Sequence, residues 1–199
     1  AIASGCKSDR ESRIAYATAN VTGLSGEVLL VVDKYIWDGS EGRRIESIFT
    51  TPVEGLPQAE PMFSILSVTP TGFGRLYQNH RNIVRVEVDP DLQEPSITFQ
   101  TDLYAATQLV IRAAGPDIET VINALDNRKE AVFNRILQAE RERWMSYYRR
   151  TQSTDNFNHL KDEHGIIMPV PAGYKIDVSK NGFAWISLET PLTTQAVLI

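Results

Sequence analysis

The sequence has only one cysteine, Cys6, so no disulfide within the chain holds its fold. It has no apolar run of about 18 residues, the length that predicts a membrane-spanning helix. It also has no excess of basic residues, because the net charge is −5, and phosphate backbones bind basic surfaces. These deficits argue against a disulfide-stabilised scaffold, a transmembrane segment and a nucleic-acid partner.

Catalytic motifs are also missing. The chain contains no Gly-x-Ser-x-Gly elbow, no phosphate loop ending in Gly-Lys-Ser/Thr and no His-Glu-x-x-His pair. The string Gly72-Phe73-Gly74-Arg75-Leu76-Tyr77 has the context of a dinucleotide loop, but Tyr77 stands where close helix packing requires a third glycine. His80 is interpreted as a hydrogen-bonding residue rather than a base. The sequence therefore predicts no catalytic residue and no cofactor.

One segment is a candidate metal site. Asp155, His159 and Glu163 are spaced by four residues on a predicted helix, which places them on one face. The outer pair would be about 12 Å apart at 1.5 Å per residue, too far for one ion. At most His159 with one neighbour would bind, and the plainer interpretation is a capped amphipathic helix with Phe157, Leu160 and His164 inward. We predict no metal site.

The longest helical pattern extends from Pro116 to Arg150. Its apolar residues recur at helical spacing and predict one buried face; they include Ile118, Val121, Ile122, Leu125, Val132 and Ile136. Polar residues 126–130 interrupt this stripe, so we expect a break or kink near Asn127.

This helix is locally cationic, with seven basic and three acidic residues between Arg128 and Arg150. Two interpretations stay open: a solvated helix face with neighbouring opposite charges, or a patch for a partner or lipid headgroups. The candidate binding surface consists of Arg128, Arg135, Arg141, Arg143 and Trp37. Further candidates for the same role are the aromatic residues Trp144, Trp185, Tyr35, Tyr147 and Tyr148, although aromatic side chains are more often part of a core.

The order of predicted elements indicates an α+β fold, with a mixed sheet covered by helices that include one long C-terminal helix. Residues 26–33 form the predicted central strand. Further strands are expected at 62–68, 82–88, 96–101 and 108–113, with helices at 41–50, 71–79 and 154–164. Short strands at 166–169, 174–178, 183–188 and 195–199 predict a second, β-rich domain that continues beyond Ile199. The expected organisation is thus a tether (1–25), an α/β domain (26–165) and the start of a β-rich domain (166–199).

The small residues Ala3-Ser4-Gly5 before Cys6 look like the end of a bacterial lipoprotein signal, in which the cysteine is acylated. The polar residues that follow would serve as a tether. The alternative is an accidental cysteine in a flexible terminus.

Four segments carry a resemblance to a known family: residues 26–34, His80-Arg81-Asn82-Ile83-Val84, residues 139–143 and Pro171-Ala172-Gly173-Tyr174. Together they resemble a family of predicted lipoproteins of Bacteroidetes, with no established activity. The resemblance implies a signal peptide, lipidation (such as palmitate) at Cys6 and a place in the cell envelope at the outer membrane. From Ile166 onward the chain is also faintly similar to the PsbP and Mog1 type of α/β sandwich.

These observations predict a membrane-tethered, noncatalytic module that binds or assembles an envelope protein. The alternative is a hydrolase or metal-dependent enzyme whose site is completed by a further C-terminal region. Convergence of His80, Asp33 and a carboxylate in one cleft would favour that alternative.

Overall fold

The computed structural model describes residues 20–199. These residues divide into two compact units, 20–140 and 141–199. The sequence-based boundary at residue 165 therefore falls inside the second unit. Cys6 and most of the predicted tether lie outside the described residues. The remainder of that tether, residues 20–25, is attached to the first unit, because Asn20 and Thr22 form bridges with Ala106 and His80.

The first unit is built on a five-stranded mixed sheet in the order β2-β1-β3-β5-β4. Its strands are β1 (Glu27–Val31), β2 (Ser64–Val68), β3 (Asn82–Val88), β4 (Ser96–Thr101) and β5 (Leu109–Gly115). Strands β2, β1, β3 and β5 run parallel to one another, whereas the edge strand β4 pairs with β5 in the antiparallel direction. The predicted α+β class with a mixed sheet is confirmed, although β3 rather than β1 is the central strand.

The helices of this unit lie mainly on one face of the sheet. They are α1 (Lys34–Trp37), α2 (Ser40–Phe49), a 3-10 turn (Pro70–Gly72), α3 (Arg75–Gln78), α4 (Ile118–Asn127) and the start of α5 (Lys129–Thr151). Side chains of α2, α4 and α5, such as Phe49, Ile122 and Ile136, share the main core with Leu30 and Val84 of the sheet. Burying such side chains contributes roughly 1.5–3 kcal/mol each.

The opposite face of the sheet is covered only in part. Leu29, Ile83 and Val110 form a smaller buried cluster there, against which Phe73 and Tyr104 pack. Toward the carboxyl ends of β3 and β5 the same face carries charged side chains instead. Alternate residues of a strand point to opposite faces, so β3 presents valines to the core and charges to this open face.

The predicted break in the long helix is confirmed. Helix α4 ends at Asn127, Arg128 is its C-terminal cap, and α5 begins at Lys129. The side chain of Asp117 caps α4 by accepting a hydrogen bond of 2.8 Å from the backbone N–H of Thr120. This hydrogen bond lowers the pKa of the Asp117 carboxyl.

Helices α1 and α2 meet at a tight corner at Gly42. A Cβ atom on this buried glycine would lie 2.1 Å from the carbonyl oxygen of Trp37. No side chain fits at that distance, so glycine lets the two helices turn this closely.

The second unit contains the end of α5, helix α6 (Thr154–His164) and a three-stranded antiparallel sheet. The strands β6 (Lys175–Lys180), β7 (Phe183–Glu189) and β8 (Thr194–Leu198) lie in that order. Ser153 caps α6 at its start and Gly165 ends it, close to the predicted bounds. Leu160 of α6 is fully buried against Val170, Ala184 and Ile186.

Two predicted elements differ in the structure. In place of a helix at 71–79 there are a 3-10 turn and the short α3, because Thr69 rather than Thr71 caps the turn and the backbone at Gly74 is extended. Residues 166–169 do not form a strand. Instead, the backbone N–H of Ile166 donates a hydrogen bond to the carbonyl oxygen of Leu160, so this part of the chain terminates α6. None of the helices within residues 20–199 is both long and apolar enough to span a membrane.

Candidate functional site

A crevice opens at the carboxyl ends of the parallel strands in the first unit. Strands β2, β1 and β3 are adjacent in that order, so the chain reverses direction across the sheet between β1 and β3. The α2 crossover lies on the main-core face, whereas Phe73 and Tyr77 of the next crossover lie on the other face. In open α/β sheets, ligands bind outside the carboxyl ends of the strands at such a reversal. We call this cavity the β1–β3 crevice.

The β1–β3 crevice has a volume of about 400 Å³, which lies within the size range of small-molecule sites. Its charged lining residues are Asp33 after β1, Arg85 and Glu87 in β3, Asp89 after β3, and Arg112 in β5. Val31, Pro70, Val86 and Val88 complete it. The lining thus combines two guanidinium groups with three carboxylates.

The sheet register places the two arginines side by side. Arg85 pairs with Arg112 between β3 and β5, and Glu87 follows two residues later on the same face. Glu87 joins both guanidinium groups: its Oε1 lies 3.0 Å from Nη2 of Arg85, and its Oε2 accepts a hydrogen bond of 2.6 Å from Nε of Arg112. One carboxylate therefore fixes two neighbouring cations in place.

Two polar groups of the crevice are not paired within the described part of the chain. The Nε–H of Arg85 is buried and has no hydrogen-bond acceptor among residues 20–199. Buried donors without partners are uncommon in folded proteins, and each requires an explanation such as a ligand or an ordered water. Asp33 is exposed, and its side chain does not cap α1, the helix that it precedes. The crevice thus offers a spare donor and a spare carboxylate.

A second polar cluster lies at the opposite, amino-terminal end of the sheet. Glu140 of α5 is buried, forms an ion pair of 2.9 Å with Nη2 of Arg81, and accepts hydrogen bonds from Asn82 and Ser25. Because these groups compensate the buried Glu140 carboxylate inside the protein, this cluster is interpreted as structural.

His80 lies at the same end. It is buried, and its Nδ1 lies 3.1 Å from the carbonyl oxygen of Asn82, a distance that suits an N–H donor at Nδ1. Its Nε2 lies 3.7 Å from Oε1 of Glu27. Burial lowers the pKa of His80, although the Asn82 carbonyl and Glu27 act in the opposite direction. His80 thus forms a hydrogen bond within the fold, and burial favours its neutral form.

The residues of the predicted cationic surface occupy different environments. In the first unit, the Arg128 guanidinium lies 3.4 Å from the carbonyl oxygen of Ile97, that of Arg135 lies 5.8 Å from the centre of the Phe99 ring, and Trp37 packs against the main core. In the second unit, Arg141 is exposed and Arg143 is buried. Whether any of these residues contacts a partner stays a prediction.

The aromatic candidates for a binding surface lie on three different elements, α5, β7 and α1. Trp144, Tyr147 and Tyr148 form one cluster on α5, with ring centroids 5.5 to 6.0 Å apart. Trp144 and Tyr147 are exposed, and so is Trp185 on β7. Tyr35 is exposed on α1 of the first unit.

The metal candidates can be located directly. Within residues 20–199, no group of three or more histidine, cysteine, aspartate or glutamate side chains is placed to hold an ion. His159 instead has one imidazole neighbour, His164, with ring centroids 6.0 Å apart. Both histidines belong to the second unit and His80 to the first.

The β1–β3 crevice was not predicted from the sequence. The signal that was available is the alternation Val84-Arg85-Val86-Glu87-Val88, which indicates a strand with one apolar face and one charged, uncovered face. The adjacency of Asp33, Arg85 and Arg112 depends on the order of the strands in the sheet, which no local sequence pattern predicts.

Comparison with known proteins gives one result. No curated protein and no solved structure matches this chain significantly. Residues 21–149, well over half of the sequence, match the family model described as Domain of unknown function (DUF8532). This range includes the whole five-stranded sheet and the β1–β3 crevice. The chain therefore belongs to the DUF8532 family.

Proposed function

We propose that this protein is a noncatalytic binding module whose β1–β3 crevice takes a small zwitterionic ligand, one that carries both a carboxylate and an ammonium group. The observation that carries the proposal is the buried, unpaired Nε–H of Arg85, located where the strand order reverses. A ligand carboxylate would accept a hydrogen bond from this group, and such charge-assisted bonds are among the stronger ones in proteins.

The mixed charge of the crevice favours a zwitterion over a simple ion. A lone anion would meet Asp33 and Asp89 as well as the arginines, and a lone cation would meet Arg85 and Arg112 as well as the carboxylates. Like charges that approach without a partner repel, whereas a zwitterion places each of its charges against the opposite one. Glu87 already neutralises part of both guanidinium groups, which leaves Asp33 for the ligand's ammonium group.

A matched set of three compounds tests this ligand class: leucine, N-acetylleucine, which lacks the ammonium charge, and leucinamide, which lacks the carboxylate. Each is titrated against 15N-labelled protein with Cys6→Ser. We expect saturable shifts of the backbone signals of Asp33, Arg85 and Arg112 with leucine and much weaker ones with the two blocked compounds. A Kd near 1 mM, which corresponds to roughly −4 kcal/mol, is enough to detect.

Substitutions assign the two ends of the ligand. Asp33→Asn should weaken leucine binding through the ammonium end. Arg85→Gln should weaken it through the carboxylate end, because the Nε–H of Arg85 is the proposed donor. The matched control is Arg44→Gln, because Arg44 pairs with Glu119 on the surface and does not line the crevice. Equal affinity for all three compounds, or no binding of any of them, would refute the zwitterion proposal.

The enzyme alternative has less support. Asp33 follows the carboxyl end of β1, whereas His80 precedes the amino end of the parallel β3. The two residues thus lie at opposite ends of the sheet, and the cleft that would favour a hydrolase is not assembled from them. Binding without chemistry needs no nucleophile and base in one site.

We further propose that Cys6 carries lipid and attaches the protein to the cell envelope, at the outer membrane, where it also meets an envelope protein. The run Ala3-Ser4-Gly5-Cys6 and the polar residues after it support this proposal. One acyl chain binds membranes only marginally, so stable attachment requires two or three chains. Mass spectrometry of the native protein should find a lipidated Cys6, and Cys6→Ser should move it to the soluble fraction. An unmodified Cys6, or a variant that stays on membranes in high salt, would refute the attachment.

A further inference from the structure

Two histidine rings of the second unit are directed at one oxygen atom. Nε2 of His159 and Nε2 of His164 each lie 2.8 Å from Oγ of Ser179. The histidines belong to α6 and the serine to β6. Both rings are half-buried and the serine is exposed, so solvent reaches the point where they converge.

The hydroxyl group cannot donate to both rings. A serine hydroxyl has one proton and two lone pairs, so it either donates to one imidazole and accepts from the Nε2–H of the other, or accepts from both. At least one of the two neutral rings must then carry its proton on Nε2. A cation at the same point has no such restriction, because it accepts a lone pair from each Nε2 while both rings carry their proton on Nδ1.

We propose that His159 and His164 bind one divalent transition-metal ion through their Nε2 atoms, with water and the Ser179 oxygen in the remaining positions. Neutral imidazole is a preferred ligand of zinc, nickel and copper ions. The nitrogen–metal distance is about 2.0–2.1 Å, so small rotations of the two rings and of the Ser179 hydroxyl bring all three groups within bonding reach of one ion between them.

The coordination positions left to water open onto a depression in the surface. His159 and Ser179 line a shallow depression of about 620 Å³, together with Asp155, Asn156 and Tyr174. With two protein ligands the site is an open, exchangeable one, unlike the four-ligand closed sites that hold structural zinc. This proposal does not depend on the β1–β3 crevice, which belongs to the other unit.

Few other side chains compete for a transition-metal ion, because the sequence contains only three histidines and one cysteine. Protein with Cys6→Ser and no histidine tag is titrated with Zn²⁺, and the ring nitrogens are followed by 1H–15N correlation spectra. We expect one ion per chain, with the Nε2 signals of His159 and His164 shifted and those of His80 unchanged. Ni²⁺ and Cu²⁺ serve as second probes by calorimetry.

Variants locate the ion. His159→Ala and His164→Ala should each weaken Zn²⁺ binding by more than about tenfold, the lower limit of what losing even an outer-shell partner costs. Ser179→Ala keeps both rings and should change affinity by less than either histidine variant. Asp162→Ala, an exposed residue on the same helix, should leave it unchanged.

Circular dichroism checks that each variant folds. If a histidine variant does not, the ring signals of the unaltered chain decide the question. No saturable binding of the three ions at about 1 mM, or Zn²⁺ binding that leaves both ring signals in place, overturns the proposal.

Discussion

The Nδ2 atom of Asn82 donates a hydrogen bond of 2.7 Å to Oε1 of Glu140, which joins the first residue of β3 to helix α5. These residues are 58 positions apart in the sequence. Arg81 and Ser25 also contact the same carboxylate, so the buried charge is compensated by an ion pair and hydrogen bonds. This network fixes the first-unit part of α5, residues 129–140, relative to the amino-terminal end of the sheet.

Removing that carboxylate should therefore be costly. Glu140→Ala leaves the Arg81 charge and the Asn82 amide without this partner, and breaking a buried pair typically costs about 3–5 kcal/mol. Chemical denaturation measures the free energy of unfolding. Glu130→Ala, an exposed glutamate on the same helix, is the control and should change it by less than about 0.5 kcal/mol. Equal effects of the two substitutions would contradict the role of the network.

The buried face of α5 gives a second prediction. Ile136 is fully buried in the main core, so Ile136→Asp would desolvate a carboxylate without a partner. The expected loss of stability is more than about 3 kcal/mol. The control is Asn134→Asp, which places the same side chain on the exposed face of the helix. An unchanged melting temperature of the Ile136 variant would show that the helix face is assigned incorrectly.

The contact between Gly23 and His80 gives a third prediction. Gly23 has a φ of +92°, and a Cβ atom there would lie 2.6 Å from Nε2 of His80. Gly55 has a similar φ of +83° but nothing within 4 Å of such an atom. Gly55→Ala should cost about 1–2 kcal/mol for its backbone alone. Gly23→Ala should cost at least about 1 kcal/mol more, since it also forces the buried ring to move.

Thermal or urea unfolding of both alanine variants measures this difference. If the Gly23 variant is no less stable than the Gly55 variant, the close approach to His80 is not a constraint on the fold.

The lowered pKa of His80 predicts how stability depends on pH. Burial favours the neutral ring, so the unfolded chain binds a proton at a higher pH than the folded chain does. The stability from this difference is fully present above about pH 6.5, the ordinary value for histidine, and is lost as the pH falls toward the folded-state pKa. The free energy of unfolding should therefore decrease below about pH 6.5.

The variant His80→Gln isolates this effect, because it cannot take up the proton. The difference in unfolding free energy between the unaltered chain and the variant should narrow between about pH 6.5 and pH 5. Curves that stay parallel over this interval would show that His80 does not titrate differently on unfolding.

Much of the secondary structure could be predicted because its signals are local. The break between α4 and α5 follows from the polar residues that interrupt the apolar stripe, and the end of α6 follows from Gly165, which suits a left-handed helix cap. The single helix predicted at 71–79 is wrong because the Thr69 side chain accepts a hydrogen bond from the N–H of Gly72 and so begins a separate turn. The extended backbone at Gly74 then separates this turn from α3.

The order of the strands could not be predicted in the same way. Pairing of β1 with β3 joins Leu29 to Ile83, and nothing near either residue in the sequence encodes that choice. The β1–β3 crevice depends on this pairing. The convergence of His159 and His164 depends on a different distant element, since Ser179 belongs to β6. A site built from residues on several elements therefore cannot be predicted from the spacing of residues within one element.

The corner between α1 and α2 has a consequence for sequence variation in the DUF8532 family. A Cβ atom at position 42 has no space beside the carbonyl oxygen of Trp37, whatever side chain would follow it. The neighbours Glu41 and Arg43 are less constrained, because one is half-exposed and the other exposed. An alignment of family members that keep this corner should therefore show glycine at position 42, while the residues on either side differ from one member to the next.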